Sequence, residues 1–431
     1  MNTRLQLLAA IAIVILLMIP IVGLFLSVGK ELEQWHTPSS FDEPFDFTSS
    51  SFADYIDWSE RRIRASRLDT PSDEEVSRLL PYILEPESDC PVNADGKYPD
   101  GIVLVHGLIA SPWGMKPLAQ HLNSRCFYVL GLLLPGHGSR PGDMLEAHWE
   151  QWLESVEFST QQLSDKADRI FLSGHSVGGN LAVLEALHNS AVDALILFAP
   201  AMMVTQASRL AGILSLIGKL FPAAAWFELE PDDAVYRYES FPFRSAAETW
   251  SLIQETNKTL DDTPLSIPVF TVASAQDTTV DAQSTFDFMV AQENPLSFTL
   301  LFTQRELPPY NKTQVKISNT LDQGILGLGH LGLMTPPDHP YYGRDGAYRY
   351  CGHYFGQPND RFARCKDGER DFYGEPTDEN LALGLIERIA FNPFYGEMIE
   401  ELDLFLEQVS MDPRGLPIQR EFEGSRLDLD D

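Results

Sequence analysis

The 431-residue chain is short of positive charge: 31 Lys and Arg stand against 62 Asp and Glu, a formal net charge of −31. Such a surface repels nucleic acid and gains nothing from anionic lipid. Cysteine is also scarce. The four, Cys90, Cys126, Cys351 and Cys365, include no C-x-x-C pair, which removes the usual zinc spacing, so no metal is expected. An even count permits disulfides, and Cys351 and Cys365 lie close enough in sequence to close a short loop; four buried thiols is the rival reading. No internal repeat is present. With 44% hydrophobic and 22% charged residues, the composition is that of an ordinary globular protein with a large core.

One stretch has no charge at all. Residues 5 to 28, "LQLLAAIAIVILLMIPIVGLFLSV", would extend about 36 Å as a helix, against a hydrocarbon core of about 30 Å. An uncleaved transmembrane anchor over 1–30 is expected. A cleavable signal peptide is the rival, although its apolar region is normally shorter and Ser27-Val28-Gly29 is a poor cleavage site. Arg4 and the amino terminus oppose only Lys30, a slight bias that leaves the bulk of a single-pass chain periplasmic or otherwise extracytoplasmic.

Residues 31–100 are polar and read as a lead-in and tether, with one helix in "SFADYIDWSERRIRASRL". From Gly101 apolar strands and helical segments alternate, as in "GIVLVHG", "KPLAQHLNS", "RIFLSGHS", "ALILFAP" and "IPVFTVAS". Alternation of this kind predicts an α/β fold, a mostly parallel sheet with helices on both faces. It divides the chain into a first core half over 101–202, a helical cap over 203–267, a second core half over 268–409 with an insertion at 335–379, and an acidic tail over 410–431. In the cap, Leu210, Ile213, Leu214, Ile217, Leu220 and Phe221 recur at helical spacing. That spacing fits an acyl-binding lid or a helix packed on the sheet equally well.

Within "FLSGHSVGGN", residues 171–180, a serine stands between glycines. G-x-S-x-G arises by chance in roughly one chain of this length in seven. Here, however, "DRIFLSG" reads as a buried strand and "NLAVLEALHNS" as a helix, the setting of a nucleophile elbow that presents Ser176 at the carboxyl end of the sheet. A nucleophilic serine needs a base, a group to orient it and donors for the oxyanion. His330, in the glycine-flanked loop "GILGLGHLGLMTPP", is the favoured base, with His339 and His353 as runners-up. Asp277, three residues past the apolar run of "IPVFTVASAQDTTVD", is favoured over Asp281 as the orienting carboxylate. The backbone N–H of Val177 and that of Leu108, in "VHGLIASPWG", are the expected oxyanion donors. His106, His137 and His175 read as turn or packing residues.

Together "LVHGLIASPWG", "LLPGHGSRPGD", "SGHSVGGNLA", "ASAQDTTVDAQS" and "GHLGLMTPPDHPYYG" resemble the α/β-hydrolase superfamily, specifically its monoacylglycerol lipase, carboxylesterase and serine-aminopeptidase-like branch. The resemblance runs from about Gly101 to about Gln408. It implies a Ser-His-Asp hydrolase that needs no cofactor, with Ser176, His330 and Asp277 in those roles. The anchor and the insertion at 335–379 are departures from that pattern. The expectation is a membrane-anchored serine esterase acting on small or lipid-like esters. A peptidase or thioesterase on the same fold, or a non-catalytic binding protein, is the alternative.

Overall fold

Strands buried on both faces of a parallel sheet read as unbroken apolar runs, and this chain's runs at 102–105, 170–172 and 194–198 are the centre of its sheet. The computed structural model describes residues 22–307 and 312–411. Eight strands form the main sheet: β1 (Tyr82–Leu84), β2 (Tyr98–Val105), β3 (Tyr128–Leu132), β4 (Ala167–His175), β5 (Val192–Phe198), β6 (Val269–Ser274), β7 (Phe298–Thr303) and β8 (Thr313–Ile317). Their spatial order is β1-β3-β2-β4-β5-β6-β7-β8. Only β1 runs antiparallel to its neighbour. The strand order reverses at β2, so β2 and β4 lie side by side and their carboxyl ends open onto one crevice, the place where open α/β sheets bind ligands.

The lead-in is packed against this sheet. Ser51 caps α1 (Phe52–Ser66) through a reciprocal box with Asp54, and α1 buries Phe52 and Tyr55 in the main core. The Tyr55 hydroxyl donates to the Leu133 carbonyl at 2.6 Å. Helix α2 (Val177–His188) is apolar nearly all round, and Leu181, Ala182, Val183 and Leu184 are fully buried. Its Asn180 joins it to α3 (Phe243–Asp262), accepting from Thr256 Oγ1 at 2.6 Å.

Between β5 and β6 the apolar residues differ in how they are covered. Leu252 and Ile253 of α3 are buried in the core. In contrast, Leu210, Ile213, Leu216 and Leu220, in and beside the short helix Ala211–Gly218, are 58% to 68% exposed.

The expected membrane-crossing helix falls mostly on residues 1–21, outside the described residues. Of the apolar run, residues 22–27 are helical. No described helix is long and apolar enough to cross a membrane. The acidic tail from 412 onward also lies outside the described residues.

Both cysteine pairs are bonded, Cys90 to Cys126 and Cys351 to Cys365. The first ties the lead-in to the turn before β3. The second closes the insertion around its own small core with Tyr354 and Leu385. A loop of about this length contributes roughly 3 kcal/mol by restricting the unfolded chain. A Cys351→Ser/Cys365→Ser double variant should therefore lose about 2 to 4 kcal/mol in urea unfolding; an unchanged midpoint would contradict the pairing.

Candidate active site

A β-strand that turns at once into a helix must pass through a strained residue, and here that residue is Ser176. It sits between β4 and α2 with φ 55° and ψ −119°, a region that costs a non-glycine residue about 1 to 3 kcal/mol. Close backbone approach imposes the strain. A Cβ on Gly178 would lie 2.2 Å from the Val105 carbonyl oxygen, and one on Gly174 would lie 2.2 Å from the Gly178 carbonyl carbon. The Ser176 N–H donates to the Phe198 carbonyl at 2.9 Å, which fixes the turn against β5.

Asp277 and His330 are brought together. The imidazole Nδ1 is 2.7 Å from Asp277 Oδ2, while Oδ1 accepts from the N–H groups of Thr279 at 2.8 Å and Val280 at 3.0 Å. Burial pushes the Asp277 carboxyl upward, but the field and hydrogen bond of His330 and those two amides outweigh it, and the pKa lies below the ordinary value. The carboxylate is therefore ionised and fully engaged. Ser176 is on the adjoining loop: the His175 ring lies 4.8 Å from the His330 ring, and its Nε2 pairs with the His330 carbonyl at 3.0 Å. The Ser176 hydroxyl neither caps α2 nor bonds to the His330 ring in this structure.

The loop after β2 is also held in strain. Ile109, a β-branched residue, has φ 56°; its N–H donates to His137 Nε2 at 3.0 Å and its carbonyl accepts from the Tyr238 N–H at 2.8 Å. His106 Nε2 accepts from the Leu134 N–H at 3.0 Å. Burial lowers the pKa of His106 to about 4, of His175 to about 3, and that of His137 well below its usual value. These neutral rings pin the loops, and Leu108 sits between two of the residues they hold. Val177 is the first residue of α2, so its N–H has no partner within the helix.

Residues 98–295 match the family model described as serine aminopeptidase, S33. A thermostable monoacylglycerol lipase from Bacillus sp. (strain H-257) is 31% identical over 173 residues, 38% of this chain and 65% of that relative. The match thus spans less than two thirds of the relative's own length. Among solved structures, the monoacylglycerol lipase of Paleococcus ferrophilus is 17% identical, with a TM-score of 0.41, covering 52% of this chain and 88% of its own. Est1E of Butyrivibrio proteoclasticus, in a structure with ferulic acid, is 21% identical, with a TM-score of 0.38, covering 52% and 84%. Residues 98–295 are thus similar to that family, and the mostly parallel α/β sheet described above is formed largely by that stretch.

The residues that sequence position offered as rivals to Asp277 and His330 have other partners. Asp281, the rival acid, caps the helix Ala282–Val290 by accepting from the Gln283 and Ser284 N–H groups. His339 Nδ1 accepts from the Tyr341 and Tyr342 amides, and His353 pairs with the Ile386 carbonyl, so neither reaches Ser176. A buried pair that the sequence did not reveal, Glu375 with Arg388, backs the Asp277 loop: Glu375 Oε1 accepts from Thr278 Oγ1 at 2.6 Å, and Arg388 Nη2 donates to Thr279 Oγ1 at 2.6 Å. His148, Glu150 and Glu248 converge in the manner of metal ligands, yet the Arg244 guanidinium, 2.8 Å from Glu248, already supplies a cation there.

The elbow gives the sharpest test of this arrangement. Gly178→Ala should cost about 3 kcal/mol or more, because the new methyl meets backbone that cannot yield. A variant with a wild-type thermal midpoint would show that the approach of α2 to β2 is looser than described.

Proposed function

We propose that this protein is a serine hydrolase of carboxylic esters, anchored to a membrane by its N-terminal segment. The observation that carries the reading is the engaged Asp277–His330 pair on the loop beside a strained Ser176. His330 Nε2 takes the proton as Ser176 Oγ attacks the ester carbonyl, and Asp277 holds the imidazolium that forms. The N–H groups of Leu108 and Val177 face the developing oxyanion, each worth on the order of 3 kcal/mol in a site closed to water. The alkoxide leaves with the proton from His330, and water, deprotonated by the same ring, then releases the acid from the acyl-enzyme.

Membrane attachment is supported by the uncharged run over residues 5–28 and by where it ends. Gly23 packs against Phe221, and Leu24, Phe25 and Val28 are exposed, as are Leu210, Ile213, Leu216 and Leu220. Two disulfides suit an oxidising, extracytoplasmic compartment. The S33 description of the matching family model supports a second reading, an aminopeptidase.

One labelling experiment addresses these points. A serine-directed fluorophosphonate should label the wild type in carbonate-washed membranes and should not label Ser176→Ala; a labelled alanine variant would place the nucleophile elsewhere, and label confined to the soluble fraction would remove the anchor. On matched substrates kcat/KM should favour the ester over the aminoacyl amide and thioester, and preference for the amide would install the peptidase reading instead.

A further inference from the structure

The insertion at 335–379 does more than lengthen the chain. With the loop after β2 and the segment leading to α3 it lines a half-open cavity of about 50 Å³, room for several waters or one small polar group. All three site loops contribute to its wall. His175 precedes the nucleophile, Leu331 follows the base, and His106 and Ala110 bracket the oxyanion amide. The rest of the wall is mostly apolar surface, including Met334 and Ala390, into which Ser111, Arg237, Tyr342, Tyr348 and Tyr350 bring polar groups.

Arg237 is the unusual member. Its Nε donates to the Tyr238 carbonyl at 3.2 Å and its Nη2 to the Tyr350 hydroxyl at 3.2 Å, with the guanidinium 4.5 Å from the Tyr350 ring centroid. Among the described residues it makes no ion pair, although the chain has twice as many acids as bases. The carboxylates that feel its charge are Glu228, Glu230 and Glu239. Glu239 is instead taken by Lys366 at 2.9 Å and Tyr348 at 3.0 Å. Ser111 Oγ, on the same wall, is buried with no hydrogen-bond partner. Arg237 therefore meets carboxylates only through their field and not through a hydrogen-bonded ion pair, and it lines the same cavity as Ser111. A fork of guanidinium donors fits carboxylate or phosphate oxygens.

We propose that this cavity is an anion subsite of the active site, with Arg237 and Ser111 as its donors, and that the enzyme prefers esters bearing a carboxylate or phosphate-type group on the acyl side. The proposal rests on the serine-hydrolase reading and names its substrate class. Tyr350 orients the guanidinium, and the insertion supplies one wall of the subsite.

The test compares mono-4-nitrophenyl glutarate, its neutral methyl ester and 4-nitrophenyl 4-phosphonobutanoate. Wild type should hydrolyse at least one of the two acids with kcat/KM about 10- to 100-fold above the methyl ester, and the better acid identifies the headgroup. A methyl ester equal to or better than both acids would overturn the proposal. In folded Arg237→Gln the acid-to-neutral ratio should fall at least about tenfold, mainly through KM, with partial recovery in Arg237→Lys; an unchanged ratio would also overturn it. Should Arg237→Gln fail to fold, Ser111→Ala carries the same comparison, with a smaller fall expected. Should the wild type fail to label with fluorophosphonate, the hydrolase reading falls separately, and thermal shift with glutarate against dimethyl glutarate still reads the subsite: a saturable shift with glutarate alone supports it, and equal shifts overturn it.

Discussion

The approach of two backbones fixes this site. Gly178 at the start of α2 presses on the Val105 carbonyl, and Gly174 at the end of β4 presses on Gly178. With no Cβ in either gap, the chain has one way to turn from strand to helix, and Ser176 takes the positive-φ conformation that this turn demands. The sheet's many buried contacts hold that strain, since a few kcal/mol is small against the burial that would be lost if the elbow relaxed. A hydroxyl raised in this way sits at the carboxyl end of the sheet, where β2 and β4 part and the neighbouring loops can reach it.

Those loops are held by polar contacts of a particular kind. The buried neutral rings of His106, His137 and His175 each bridge a gap between segments with a hydrogen bond to backbone. Burial depresses their pKa values, which keeps all three rings neutral. Asp277 is ionised for the opposite reason: its donors outweigh its burial. Behind it, the Glu375–Arg388 pair reaches back to Thr278 and Thr279. The insertion and the segment that follows it thus have two faces toward the site, one supporting the acid loop and one closing the cavity beside Arg237.

What could be read from the sequence follows the range of the interaction. The strand-turn-helix around Ser176 is local, and its residues state it plainly. The parallel sheet is legible because strands covered on both faces must be apolar throughout. Position along the strand favours Asp277 over Asp281, and in the structure Asp277 pairs with His330 while Asp281 Oδ1 caps a helix N-terminus. Nothing local marks Glu375 as a partner of Thr278, 97 residues away in sequence, or Arg237 as sharing a cavity with His175. The cap's periodicity showed apolar faces without showing what covers them, and the answer changes along the segment: Leu252 is covered, whereas Ile213 is not.

The account turns on Asp277 holding the ring that serves Ser176. The most direct measurement is the rate of fluorophosphonate labelling at Ser176 in wild type and in folded Asp277→Asn at neutral pH. The account predicts that the amide, which favours the wrong tautomer, slows labelling by about 10³- to 10⁴-fold while circular dichroism stays unchanged. Equal rates in the two proteins would mean that His330 is aligned by something else, and the Asp277–His330 bond would then be a structural contact alone.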